Sequence, residues 1–246
     1  MVKVVDTRER EAEILKRVVE SYIEESRPIS SSYICEKYRL NCSSATVRNV
    51  MLALEKDGFL SHIHTSSGRV PTQEGFRRYA EQVKEEEVAG NYPVSLDYNS
   101  LPRLDMNEIM NYTLDMLTQY SGYASLVAIS GSDEKMLFKG MRFILEQPEF
   151  EDVSVLKNIF YLFEVKMSAL ENLLFNCAGD HTHILIGDDI GFEEISKCSL
   201  VVSGLRQRQI AFALALLGPM RMHYAKAVAC LYSVRQQLKQ AMEELL

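Results

Sequence analysis

The residues best suited by type and spacing to recognition chemistry lie between Ser43 and Lys56. Arg48 and Asn49 can present paired hydrogen-bonding groups to base edges, and the small Ala45 before them permits close approach. Ser43 and Ser44, followed by Thr46, supply hydroxyls at what reads as a helix N-terminus, where free backbone N–H groups bind phosphate. Lys56 closes the same segment. Further along, Ser67 and Arg69 flank Gly68 in a turn, from which Arg69 could reach backbone phosphate or the minor groove. This is the chemistry of a duplex reader, and its candidate contacts are Ser43, Ser44, Ala45, Thr46, Arg48, Asn49, Lys56, Ser67 and Arg69.

Other reactive residue types read as structural. His62 and His64 alternate on one stretch and His181 and His183 on another, without a Cys or acidic partner at ligand spacing, so no metal site is expected. Asp188-Asp189 and Glu193-Glu194 are adjacent acids of the kind that usually face solvent rather than act as acid and base. There is no glycine-rich phosphate loop and no nucleophile motif, so neither a cofactor nor an enzymatic activity is expected. Cys35, Cys42, Cys177, Cys198 and Cys230 are odd in number, scattered and never CxxC, a pattern of reduced thiols in the cytoplasm. Arg221, following Pro219, is expected to make an internal ion pair or line a dimer contact, with Tyr224 packed beside it.

The elements that must position the duplex-reading residues follow from periodicity. Ala12, Leu15, Val18, Val19 and Tyr22 mark the inner face of a first helix ending before Pro28. Ser30-Ser31-Ser32 caps a short second helix carrying Ile34 and Tyr38. A turn at Asn41-Cys42-Ser43-Ser44 leads to a third, whose Val47, Val50, Met51 and Leu54 face inward. That phase puts Ala45 and Asn49 opposite the core, with Arg48 and Lys56 on the flanks. Between Phe59 and Pro71 short apolar runs surround the glycine turn as a β-hairpin. Thr72 caps a fourth helix with Phe76, Tyr79, Ala80 and Val83 inward, and Glu85-Glu86-Glu87 is its expected solvated end. Three short helices and a hairpin are the plan of a winged helix-turn-helix, assigned here to residues 1–89.

Residues 90–103, rich in Pro, Asn and Ser, read as a linker. The remainder, 104–246, alternates helix and strand: a helix through Met106 to Leu117, a strand at Leu126–Ile129, and a turn at Gly131-Ser132-Asp133. A long helix follows, with Val153, Leu156, Phe160, Phe163, Met167 and Leu170 on its buried face. Strands are expected at His183–Ile186, Leu200–Leu205 and Ile210–Leu217, and Gly218-Pro219 should start a last helix. The class is α+β.

Composition sets the bounds. The 246 residues are 47% apolar, enough for a sizeable core, and the net charge of −7 argues against simple electrostatic coating of nucleic acid. From Arg27 to Lys84, however, nine basic residues oppose five acidic ones, a local excess of +4 (9 − 5). No apolar run approaches the roughly 20 residues of a membrane span, and the charged N-terminal segment does not read as a secretion signal.

Two segments in register carry a specific resemblance: Ser43-Ser44-Ala45-Thr46-Val47-Arg48-Asn49, and His64-Thr65-Ser66-Ser67-Gly68-Arg69-Val70-Pro71-Thr72 continuing to Gly75-Phe76-Arg77-Arg78-Tyr79. They resemble the N-terminal signature of the HrcA family of heat-inducible transcription repressors. Gly218-Pro219-Met220-Arg221-Met222-His223-Tyr224 and Gln147-Pro148-Glu149-Phe150 are similar to two further family segments. The resemblance implies a repressor of chaperone genes in the heat-shock response, bound as a homodimer to an inverted-repeat operator in double-stranded DNA. It also implies a GAF-like C-terminal half serving dimerisation and regulation, and the chaperonin GroEL as a partner. Family members carry a long block with an inserted dimerisation subdomain where this chain has only Ser130 to Gln147, so it resembles a shortened variant with a reduced GAF-like domain. The alternative reading is a protein-interaction or ligand-sensing module that has lost operator binding.

Overall fold

The computed structural model describes residues 2–63, 68–98, 105–130 and 135–245, in two compact units, Met1–Gln82 and Val83–Leu246. The α+β class is observed.

In the first unit, α1 (Val2–Glu25) stops before Pro28, where Ser26 takes a left-handed φ of 54°. Leu15, Val18 and Val19 are buried as expected. Ala12 is exposed instead, and Ile14 and Ile23 fill the inner face. The backbone then turns into α2 (Ser31–Tyr38), whose Tyr33 N–H donates to the Ser30 hydroxyl at 3.1 Å. α3 (Ser44–Lys56) starts in the same way on Ser43, with Thr46 N–H donating to its Oγ at 3.1 Å. Each cap satisfies one of the orphan donors of a first turn. Val47, Met51 and Leu54 are buried and Val50 is half-buried.

The hairpin is short. β1 (Leu60–Ser61) pairs antiparallel with β2 (Val70–Pro71), and Arg69 continues the pairing with Ile29 through two backbone hydrogen bonds of 2.8 and 2.9 Å. Gly68 is required there, since a Cβ would lie 2.4 Å from the Ile29 carbonyl oxygen. α4 (Gln73–Ala80) is capped by Thr72, whose hydroxyl accepts from Gly75 N–H at 3.1 Å and donates to the Gly58 carbonyl at 2.6 Å.

α4 is shorter than the sequence suggests. A separate turn, α5 (Glu85–Val88), follows, and it belongs to the second unit together with Val83. Glu85 is buried rather than solvated, because Arg235 pairs with it at 3.0 Å and Thr182 N–H donates to its other oxygen at 2.8 Å. The described part of the expected linker is likewise docked on the second unit. Gln237 brackets it through Leu96 N–H and the Val94 carbonyl, and Tyr98 is buried with its hydroxyl 2.8 Å from that of Thr113.

The second unit is built on a five-stranded antiparallel sheet. Its helices and strands run α6 (Met106–Ser121), β3 (Ala124–Ser130), β4 (Lys135–Lys139), α7 (Arg142–Leu145), α8 (Val153–Val165), α9 (Met167–Cys177), β5 (His183–Ile186), β6 (Cys198–Gln207), β7 (Ile210–Pro219) and α10 (Tyr224–Leu245). The spatial order is β4-β3-β7-β6-β5. Leu126, Val202 and Ala215 share the face that packs on Ile159, Leu162, Leu170 and Leu174 of α8 and α9. α6 and α10 pack against β3 and β6 as well, with Ser199 and Ser203 hydrogen-bonded to Tyr224 and Arg235 of α10. The central strands are thus covered on both faces, which is why they read as near-continuous apolar runs.

Three expectations change here. The long helix after Asp152 is two helices meeting at Lys166, and its inner residues are Val155, Ile159, Leu162 and Phe163, while Val153 and Phe160 are exposed. Gly218 and Pro219 end β7, Pro219 opposite Cys198, and the last helix begins at Tyr224. The strand β4 pairs Leu126 with Phe138 where none was expected. The expected turn at Gly131-Ser132-Asp133 lies outside the described residues.

Candidate nucleic-acid interface

α3 presents an open stripe. Ala45, Arg48, Asn49, Leu52 and Lys56 are all exposed and recur at helical spacing on the side away from Val47, Met51 and Leu54. Leu52 was not among the residues the sequence singled out, although it shares the spacing of its neighbours on this side. Ser43 and Ser44 are exposed at the N-terminal end, but the Ser43 hydroxyl is already engaged by Thr46 N–H and lies 3.0 Å from the Thr46 hydroxyl. Its first role is therefore to start the helix.

Charge is distributed unevenly. Of the nine basic residues between Arg27 and Lys84, Arg27, Lys37, Arg69, Arg77, Arg78 and Lys84 sit in ion pairs. Arg39, Arg48 and Lys56 have none among the described residues, and two of those three lie on α3. Two cations without an ion pair, Arg48 and Lys56, therefore stand on the exposed stripe of α3, with Asp57 the acidic residue next to Lys56 in the chain. Such a local surplus can attract a polyanion despite an acidic total.

Arg69 is placed differently from the expectation of a free reach toward phosphate. It is half-buried at the root of the hairpin, and its Nε donates to Glu55 Oε2 at 2.8 Å, tying β2's approach to the last turns of α3. His62 Nδ1 contacts the other Glu55 oxygen. That hydrogen bond first, and then the Arg69 charge, hold the Glu55 carboxyl below its ordinary pKa. Ser67 lies outside the described residues, as do His64, Thr65 and Ser66.

In the second unit the two motif segments meet. Arg221 Nη2 donates to Gln147 Oε1 at 2.8 Å and to Glu149 Oε2 at 3.2 Å, with Nε also on Glu149, so Gly218–Tyr224 and Gln147–Phe150 are joined by one guanidinium. Tyr224 is buried and bonded to the Ser199 hydroxyl at 2.8 Å. Among the described residues no three His, Cys, Asp or Glu side chains gather as metal ligands, and no helix is long and apolar enough to cross a membrane.

A helical unit closed by a hairpin, followed by an antiparallel sheet between two helical layers, defines a two-unit α+β protein, and α3 in its first unit has an exposed, partly cationic face. A solved structure described as a hypothetical protein has the same fold, with a TM-score of 0.76 over 96% of this chain and 98% of that one at 17% identity. The family model "HrcA protein C terminal domain" matches residues 98–228. The chain belongs to the HrcA family. It is 25% identical over 341 aligned positions to the "Heat-inducible transcription repressor HrcA" of Desulforudis audaxviator (strain MP104C), covering 96% of this chain and 98% of that one. It is 49% identical over 78 residues to the protein of the same name in Roseiflexus sp. (strain RS-1), covering 32% of this chain and 22% of that one. The first alignment is longer than the 246-residue chain itself, so that relative carries segments with no counterpart here.

Proposed function

We propose that this chain is a heat-inducible transcription repressor that binds operator DNA through α3 and its hairpin and acts by binding rather than catalysis. The carrying observation is the exposed stripe on α3, where Arg48, Asn49 and Lys56 have no partner within the described residues. On this reading the first unit is a winged helix whose α3 enters the major groove, with Arg48 and Asn49 on base edges and Ala45 allowing close approach. Ser43, Ser44 and Thr46 at the capped N-terminus, and Lys56 at the far end, meet phosphate. Ser67 and Arg69 complete the contact from the hairpin, Arg69 acting at its root.

The second unit, read as a reduced GAF-like domain, serves dimerisation and regulation. As a homodimer the protein presents two copies of α3 to the half-sites of an inverted repeat upstream of heat-shock genes. The chaperonin GroEL enters as the partner that couples repression to unfolded protein in the cytoplasm, on the strength of family membership alone.

The test is the double variant Arg48→Ala/Asn49→Ala, compared with the parent by fluorescence anisotropy on an inverted-repeat duplex and on a random duplex of equal length. The parent should prefer the repeat and lose affinity steeply as salt rises. The variant should keep its circular dichroism spectrum and lose the preference. Undiminished discrimination by the variant would remove α3 from the role assigned to it.

A further inference from the structure

α8 has one face more than its own sheet uses. Val155, Ile159, Leu162 and Phe163 point into the core, whereas Val153, Phe160, Tyr161 and Val165 on the other side are 60%, 48%, 47% and 61% exposed. Phe138 of the edge strand β4 lies against Phe163 of α8, the ring planes tilted by 45° and the centroids 4.7 Å apart, and is itself 41% exposed, so an exposed apolar side chain also stands beside the helix. Single exposed apolar side chains are ordinary, but a contiguous group of this kind marks an interaction site.

The charges on that face identify the occupant. Lys157 and Glu164 stand among the exposed apolar residues, both exposed and neither with an ion pair or hydrogen bond among the described residues. They are two helical turns apart, about 10.5 Å along the axis, too far to pair with each other. Suppose a second α8 is laid antiparallel, with the twofold axis passing midway between Phe160 and Tyr161. Each residue before the midpoint then faces the one equally far after it. Lys157 of one copy meets Glu164 of the other, Phe160 meets Tyr161, and each contact occurs twice. Lys166, beyond this group, is held by Glu194 at 2.6 Å and has its Nζ 5.9 Å from the centre of the Tyr161 ring, so it borders the face and takes no part in the facing charge pairs.

From this self-complementarity we propose that the outer face of α8, widened by Phe138, is the surface through which two copies of this chain associate. The inference gives a location to the homodimer proposed above and rests on that reading. An isologous contact requires one patch to complement itself under a twofold rotation, and the order of charges and rings along α8 meets that requirement. A lipid surface would use the apolar residues but would have no need of opposite charges at matched distances from one midpoint.

The experiment uses the full chain in sedimentation velocity across a concentration series. Lys157→Glu alone, or Glu164→Lys alone, places like charges opposite each other at both ends of the contact. Each should raise the dimer dissociation constant by about tenfold or more, with thermal stability of the chain unchanged. Mixing the two variants in equal amounts should restore association, because every facing pair in the mixed dimer is again of opposite sign. If the parent dimerises and the single variants dissociate no more readily than it does, the interface lies elsewhere: this proposal falls and the homodimer stands. A parent that is monomeric at every concentration removes both.

Discussion

Glu55 on α3 and Arg69 at the root of the hairpin are joined by a 2.8 Å hydrogen bond between opposite charges, with both side chains about four-fifths covered. One carboxylate thereby fixes the angle between the helix that would read a duplex and the hairpin beside it. Replacing Glu55 with Ala should cost about 1 kcal/mol of stability and speed amide hydrogen exchange at Ile29 and Arg69, whose backbones bridge each other. Unchanged exchange at those two amides would show that the backbone bridge stands without the ion pair.

The same carboxylate predicts a pH response. Its pKa is lowered in the folded protein, by the His62 hydrogen bond first and Arg69 after it. A carboxyl with a depressed folded value stabilises the protein above its unfolded pKa and loses that contribution as pH falls through the folded value. The hairpin should therefore loosen below the ordinary carboxylate range and hold at neutral pH, with Glu55→Gln flattening the profile. Thermal melts between about pH 3 and 7 would read this directly.

Gly75 lies where α4 crosses the start of the hairpin, and a Cβ there would sit 2.2 Å from the Phe59 carbonyl oxygen. Because the obstacle is backbone, relief requires α4 to move. Gly75→Ala should destabilise the first unit by about 1–3 kcal/mol, measured by urea denaturation, whereas Gly90→Ala, with open space around it, should not.

Glu85 and Arg235 form a buried pair at 3.0 Å, extended by Ser203, which accepts from Arg235 at 2.8 Å, and by Thr182. Removing one partner strands the other away from water, so Glu85→Ala should cost about 3–5 kcal/mol. Replacing both, as Glu85→Leu/Arg235→Met, should cost clearly less. Equal losses in the single and double variants would mean that packing, not charge, holds α5 in place.

Thiol chemistry should divide the cysteines by position. Burial pushes the thiols of Cys198 and Cys230 up to about 12, so almost no thiolate exists there at neutral pH. Iodoacetamide should label the half-exposed Cys35, Cys42 and Cys177 in the native protein and reach Cys198 and Cys230 only in denaturant. Peptide mass spectrometry distinguishes the two sets.

What the sequence made legible was local. The Ser43 cap, the inner phase of α3 and the pairing of the hairpin's two strands all depend on residues a few positions apart, and they appear as read. The phase of α8 did not, because Val153, Val155, Leu156, Ile159, Phe160, Tyr161, Leu162, Phe163 and Val165 put apolar groups on nearly every side. Periodicity then admits more than one inner face, and the sheet selects among them. Glu85 reads as the start of an acidic, solvated run, and its partners Thr182 and Arg235, 97 and 150 positions away, reverse that. Proline at position 219 suits a first helical turn as well as a strand end, so its role was decided by pairing with Cys198. Within the candidate interface, the exposure of Arg48 and Asn49 was legible from helix phase. The commitment of Arg69 to Glu55 was not, since it joins two elements that sequence spacing does not relate.

β3 lies in the sheet between β4, which follows it after one short connection, and β7, which the ribosome delivers only after α8, α9, β5 and β6. During synthesis the nascent β3–β4 hairpin therefore waits with one apolar flank lacking its neighbour. An unpaired strand edge of this kind is a ready template for pairing with another chain, and it is covered when the β6–β7 ribbon docks.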